Sequence, residues 1–270
     1  MTTTAQVKGI ITKWYKFLGF EERYDAEFYS ALESIYVDAE RKAENYNQED
    51  PDGKKNFLYY LYFCEEMEKA YREKGIPEEV FLDSVKDLVT WTDIWSDLKG
   101  ELHLGEIDWL WHIFTLRIIK LGRLQYNRAS ARADAPERGV KKGDPVLNIH
   151  IPARGPLDFD ECKRSLGMAK DFYKKYYPEF EYKCFTCHSW LLDTTLGDIL
   201  KPESNILKFQ TIFNITALDP SRAILSYTVR WKIKDEELKS AECKSSFANR
   251  VKDEYLAGRR FFAGYGIIDK

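Results

Sequence analysis

The apolar residues of this chain change their spacing once, near residue 121, and that change limits the fold more than any other feature. Before it they recur with helical period. Val7, Ile10, Ile11, Trp14, Phe17 and Leu18 fall at i, i+3, i+4 and i+7 spacing, with Gly19 as a stop. A second helix carries Phe28, Leu32, Ile35 and Tyr36, followed by a polar loop at 45–53. The third spans 56–74, with Phe57, Leu61, Cys64, Met67 and Tyr71 on one stripe. A fourth opens at Pro77, sets Glu78 and Glu79 where the helix dipole favours acids, and runs to Gly100. Beyond 121 the period falls to two, predicting strands at 124–127, 146–151, 182–192, 223–231 and 261–268. Between them, 128–143 reads as a low-complexity basic loop. Asp158 and Glu161 form a capping box for a long helix ended by Pro178, with short helices at 196–200, 206–213 and 247–256. The expectation is an α+β chain, with a helical N-terminal domain over 1–118 and a mixed α/β domain over 119–270.

An apolar content of 44%, with 15% aromatic, supplies a large core and excludes a disordered chain or a small disulfide scaffold. No window approaches the ~18 uncharged apolar residues of a membrane span, and the first residues lack the basic-then-apolar order of a secretory signal. Five cysteines at scattered spacings suit reduced thiols. A cytoplasmic protein with no membrane partner is expected. Charge divides with the period: 13 Lys+Arg stand against 24 Asp+Glu through residue 115, and 28 against 20 beyond it. The basic half fits a phosphorylated ligand, or simple attraction between the halves. No nucleic-acid recognition motif accompanies the charge, so no nucleic-acid partner is expected.

Cys184-Phe-Thr-Cys187-His188 matches the C-x-x-C-H haem-attachment pattern. In a strand, however, Cys184 and His188 share one face and Cys187 takes the other, so the three do not converge and no metal is expected. Arg164-Ser-Leu-Gly167-Met-Ala169 matches R-x-x-G-x-A, a pyrophosphate fingerprint, but lies inside a helix where backbone N–H groups are already bonded. The better anion site is the turn Ile151-Pro-Ala-Arg154-Gly155-Pro-Leu157, with a guanidinium, a glycine and a following helix N-terminus. Asp158 and Asp160 oppose a phosphate there, and the alternative is an ordinary Pro/Gly connection. His150 stands on the polar face of its strand with Asn148, while Leu147, Ile149 and Ile151 form the apolar face. Its imidazole suits proton abstraction near neutral pH, or else a hydrogen bond beneath a helix. His188 has the same two readings. His103 and His112 read as structural, and neither a nucleophile elbow nor a Cys–His pair is evident.

Taken together, Leu147-Asn-Ile-His-Ile-Pro152, Gly155-Pro-Leu157, Cys162 with Ser165-Leu166, Phe185-x-Cys187-x-Ser189-Trp-Leu-Leu-Asp193, Ser204-Asn-Ile206 with Phe209, and Leu121-Gly-Arg-Leu-Gln-Tyr126 resemble bacterial acyltransferase-domain proteins. These join a helical N-acyltransferase N-terminal domain to a GNAT-like C-terminal domain. The resemblance implies that acyl-CoA lies between two splaying central strands, 146–151 and 182–192, with its pyrophosphate over 152–158. An amine attacks the thioester directly, a base removes its proton, and no cysteine nucleophile is needed. It implies His150, with His188, as base or water-relay partner. Ile149, Ile151, Arg154, Gly155, Leu157, Ser189 and Asn205 are implied as acyl-CoA contacts, with Ser204 a second choice for pantetheine. The co-substrate is acetyl-CoA or another acyl-CoA, the acceptor a small-molecule or peptide amine, and the helical domain is expected to shape the acceptor pocket. The sequence departs from the family in two places. The fingerprint is displaced to 164–169, and 194–215 lacks the tyrosine that usually protonates the leaving thiolate. The alternative is a non-catalytic acyl-CoA or small-ligand binding protein on the same fold.

Overall fold

A computed structural model describes residues 3–46 and 53–270, so most of the polar loop read at 45–53 lies outside the described residues. The chain divides into two units, the first ending at Lys120 and the second beginning at Leu121. The first contains α1 (Thr4–Leu18), α2 (Asp25–Ser34), α3 (Gly53–Glu73), α4 (Glu78–Val85), α5 (Asp87–Lys99) and α6 (Ile107–Phe114). Thr3 and Gln6 satisfy each other's backbone N–H groups at the start of α1. The stripe Phe57, Leu61, Cys64, Met67 and Tyr71 is buried on α3, and Tyr15 stacks on Phe28 at 3.7 Å. The helix expected from 77 to 100 divides at Lys86 into α4 and α5. Its apolar stripe runs on through Phe81, Val85, Leu88 and Trp91, all buried, so the break leaves no mark in the pattern.

The second unit is built on a six-stranded sheet. The strands are β1 (Ile118–Leu121), whose residues span the division between the units, β2 (Leu124–Ser130), β3 (Pro145–His150), β4 (Cys184–Ser189), β5 (Asn214–Pro220) and β6 (Phe262–Asp269), in the order β1-β2-β3-β4-β6-β5. β3 and β4 are parallel, joined by α7 (Phe159–Tyr176), while β2–β3, β4–β6 and β5–β6 are antiparallel. α7 buries Cys162, Ser165, Leu166, Ala169, Phe172 and Tyr173, and the Tyr173 hydroxyl donates to the Tyr126 carbonyl at 3.0 Å. At its start, Asp158 accepts from the Glu161 N–H at 2.8 Å, but the Glu161 carboxylate pairs with Arg164. Half of the expected capping box forms. The stretch read as a basic loop is partly core: β2 reaches Ser130, Ala135 bridges Val140, and Ala131, Ala135 and Val140 pack with Val146, Cys184, Tyr265 and Ile267.

The strand expected at 223–231 is overturned. Residues there form α9 (Ala223–Thr228), which belongs to a helical excursion between β5 and β6 with α10 (Asp235–Leu238) and α11 (Ser246–Leu256). Ile224 and Leu225 join Leu196, Ile199, Ile233, Leu238, Val251 and Phe261 in a core of their own. A short apolar run does not declare its period, and burial on a helical core decided it. The strand that does form there, β5, lies at the sheet edge and is exposed along most of its length, so its residues carry no alternation. The segment after β4 coils into turns at Trp190–Leu192 and Thr194–Asp198, followed by α8 (Asn205–Gln210). Among the described residues, no helix is long and apolar enough to cross a membrane.

Candidate functional site

The two central strands part. β3 pairs with β4 through Leu147↔Phe185, Asn148↔Thr186 and Ile149↔Cys187 and no further, whereas β2–β3 continues to Gln125↔His150 and β4–β6 to Ser189↔Gly264. The residues beyond Ile149 and Cys187 therefore open a fork at one end of the sheet, with backbone N–H and C=O groups unclaimed by the opposite arm. Each arm leaves for a local reason. On β3, Ile151 is followed by Pro152, which has no N–H for a ladder. On β4, the Ser189 hydroxyl accepts from the Leu191 N–H at 3.2 Å and starts a tight turn. That turn lies against β6, where a Cβ at Gly264 would overlap the Leu192 carbonyl. Buried Asp193 then clips it in place, accepting from the Thr195 N–H at 2.9 Å, the Thr195 hydroxyl at 2.8 Å and the Phe262 N–H at 2.9 Å.

A polar group crosses the apex of the fork. The Thr186 hydroxyl on β4 donates to Asn148 Oδ1 at 3.3 Å, which turns the Asn148 amide nitrogen toward His150. Asn148 Nδ2 lies 3.0 Å from His150 Nε2 and 3.2 Å from Asn127 Oδ1, and Nε2 lies 2.8 Å from the same oxygen. Unprotonated, Nε2 accepts from Asn148; protonated, it donates to Asn127. An amide partner stands ready for either state. His188 follows on the other arm, on the same face by alternation. Arg132 Nη1 approaches its Nδ1 at 3.3 Å and Asp219 Oδ2 its Nε2 at 3.2 Å. Arginine only donates, so Nδ1 accepts and Nε2–H is held by Asp219.

The remaining candidates surround the fork. Ile149 is buried on the face opposite His150 and offers only its backbone, while Ile151 and Leu157 are half-buried and Arg154 exposed. Gly155 has φ +91°, where a side chain would be strained. Pro156, Gly155 and Pro152 turn their carbonyls to Arg123, whose Nε donates to Pro156 O at 2.7 Å and Nη2 to Gly155 O at 3.1 Å and Pro152 O at 3.5 Å. Arg164, Gly167 and Ala169 lie within the body of α7. Ser204 caps α8 by accepting from the Ile206 N–H at 3.2 Å, and exposed Asn205 opens that helix without a side-chain hydrogen bond to the other candidates. Cys184 and Cys187 sit on opposite faces. Burial raises the Cys184 thiol and pushes that of Cys187 up to about 12, so neither is a thiolate near neutral pH.

Asn127, Thr186, Arg123, Arg132 and Asp219 were not read from the sequence. They reach the fork through strand register and tertiary contact, and only the bare pattern around Leu121 marked Arg123. The helical unit has a separate cleft of about 380 Å³ beside Arg41, Tyr62 and Lys69. Its glutamates are committed, Glu65 to Lys13 at 2.9 Å, Glu66 to the Ala43 N–H at 3.4 Å and Glu73 to Lys69 at 3.7 Å.

Residues 118–268 match the family model of the GNAT-like C-terminal domain, and 7–116 that of the N-acyltransferase N-terminal domain. No curated protein matches the chain. Among solved structures, an acyltransferase in complex with decanoyl-CoA is similar at 28% identity and a TM-score of 0.68, over 78% of this chain and 64% of its own. An acyltransferase in complex with decanoyl-CoA and teicoplanin shares 24% identity, with a TM-score of 0.70, over 79% of this chain and 65% of its own. A mutant acyltransferase in complex with octanoyl-CoA shares 19% identity over 96% of this chain and 99% of its own, with a TM-score of 0.69. The chain thus spans 64–65% of the length of the first two. At 24% and 19% identity the likeness is one of fold.

Proposed function

The chain belongs to the family defined by the GNAT-like C-terminal domain, and from that premise we propose that it is an acyl-CoA-dependent N-acyltransferase. The observation that carries this reading is the fork beyond Ile149 and Cys187, with a histidine on its polar face and a Gly-containing turn leading into α7. The thioester lies in the fork, where the backbone of 150–152 and 188–189 supplies partners for the pantetheine amides. Ile149, Ile151 and Ser189 line it, Asn205 meets the pantetheine, and Arg154, Gly155 and Leu157 receive the pyrophosphate with the α7 N-terminus.

The acceptor amine approaches from the face bearing Asn127, Asn148 and His150. Its nitrogen attacks the thioester carbonyl carbon, the C–N bond forms, the C–S bond breaks, and CoA leaves as thiolate. His150 Nε2 takes the amine proton, moving from Asn148 as donor to Asn127 as acceptor. His188, with both nitrogens engaged, holds Arg132 and Asp219 on the other arm. The solved relatives bound to decanoyl- and octanoyl-CoA support a medium acyl chain, and the one bound to teicoplanin supports a small-molecule or peptide acceptor. The second reading, a binding protein without chemistry, draws on Asp158 and Asp160 at the phosphate turn and on the lack of tyrosine in 194–215.

Thermal shift with acetyl-, octanoyl- and decanoyl-CoA, followed by thiol release with amines, tests both. Ligand at one hundred times its dissociation constant stabilises by about 2.7 kcal/mol. A shift with amine-dependent release of CoA thiol is expected. A shift without release leaves the binding protein, and no shift with any acyl-CoA overturns both.

A further inference from the structure

The turn that receives the phosphates on the reading above is not self-supporting. It contains two prolines, makes few bonds of its own, and begins a helix whose first residues include Asp158 and Asp160. What holds it is a side chain from the β1–β2 hairpin. We propose that Arg123 is the positioning residue that fixes turn 152–157 in its anion-binding conformation, a proposal that rests on the assignment of this turn to the pyrophosphate.

Arg123 is itself fixed. The hydroxyl of Ser165, fully buried on α7, donates to the Leu121 carbonyl and accepts from the Leu124 N–H at 3.1 Å, so the residues on both sides of the hairpin turn are tied to the helix. From there the guanidinium reaches the carbonyls of Pro152, Gly155 and Pro156. In a trans peptide the N–H points opposite to its C=O. With the Pro152 and Pro156 carbonyls turned to Arg123, the N–H groups of Ala153 and Leu157 point away from it, and neither makes a hydrogen bond among the described residues. The turn presents donors outward because the arginine draws its acceptors inward.

The charge adds to this. Arg123 has no ion-pair partner among the described residues, and its Nη1 is buried without a hydrogen-bond partner. The Cys162 thiol beside it is pushed up to about 11 by burial and so stays neutral. An arginine remains charged even where burial lowers its pKa. A positive charge without an ion-pair partner among the described residues therefore stands on the carbonyl side of the turn. Because Nη1 is buried, the guanidinium acts through the turn.

The test compares two acyl donors, decanoyl-CoA and decanoyl-pantetheine, which carries the thioester without the phosphates. Arg123→Met is expected to weaken decanoyl-CoA binding at least tenfold and to leave KM and kcat for decanoyl-pantetheine within twofold, since preorganisation is lost only for the phosphate end. Arg123→Lys, a single point donor that cannot span three carbonyls, falls between. A merely structural arginine would move both donors together, and that result overturns the proposal, as does unchanged affinity for decanoyl-CoA. If Arg123→Met does not fold, Arg123→Lys decides by the same ratio between donors. A wild-type protein that uses neither donor refutes the underlying transferase reading instead. One that uses both with equal affinity refutes the placement of the phosphates.

Discussion

Replacing Ser165 by alanine removes one oxygen and should unsettle the whole floor of the α/β unit. A serine hydroxyl has one hydrogen and two lone pairs, and here all are used. The hydrogen goes to the Leu121 carbonyl, one lone pair takes the Leu124 N–H at 3.1 Å, and the other takes the Tyr126 hydroxyl at 2.9 Å. Alanine leaves a buried C=O, a buried N–H and a buried phenol without those partners. Each orphaned buried group costs ~1–3 kcal/mol, but the phenol can rotate, so the two backbone groups set the loss at about 2–6 kcal/mol. For a cooperative unit of this size that lowers Tm by roughly 5–25 °C. Tyr126→Phe breaks only one of the three bonds and should cost about 1 kcal/mol. The double variant should then cost less than the sum, because Ser165→Ala has already broken the shared bond. Calorimetry of the four proteins measures this cycle. A loss under 1 kcal/mol for Ser165→Ala, or strict additivity of the pair, would refute the reasoning.

His150→Gln should lower kcat by ~10²-fold or more while CoA affinity changes less than twofold, and unimpaired turnover would remove His150 from the proton path. Burial raises the thiols of Cys64, Cys162, Cys184 and Cys187, so a disulfide reagent at pH 8 should titrate only half-exposed Cys243 rapidly in the native protein and all five cysteines after denaturation. Rapid native reaction of two or more would contradict the packing. Burial, with Arg117 nearby, lowers the His112 pKa from its ordinary value. The unfolded chain then binds the extra proton first, so stability falls as pH drops through ~6.5 and levels off below the folded pKa. His112→Asn should flatten that acid slope, and an unchanged slope would assign it to other groups.

Much of the fold was legible where one face of an element is buried along its length. α1, α3 and α7 declare themselves because their stripes meet a core on every turn. β5 does not, since an edge strand exposed along most of its length has no reason to alternate. α9 reads as a strand because its apolar run is too short to distinguish the two periods. The division at Lys86 was hidden by an apolar stripe that crosses it. At the site, His150 and the turn at 151–157 stood out as a polar side chain on an apolar strand and a Pro/Gly cluster before a helix. Asn127, Thr186 and Arg132 could not, because what makes them relevant is register between segments about 20 to 60 residues apart in the chain. Arg123 stands in the sequence only as part of a pattern; its three carbonyl partners exist only once the β1–β2 hairpin meets the turn.

The central claim is that acyl-CoA binds in the fork between β3 and β4. Amide hydrogen exchange with and without saturating decanoyl-CoA tests it most directly, because the backbone groups unclaimed by the opposite arm beyond Ile149 and Cys187 are the ones the ligand would occupy. The account predicts slowed exchange in 150–161 and 188–192, with the β5 edge at 214–220 unchanged. Binding with exchange in both arms unaltered, or protection confined to other segments, would contradict it.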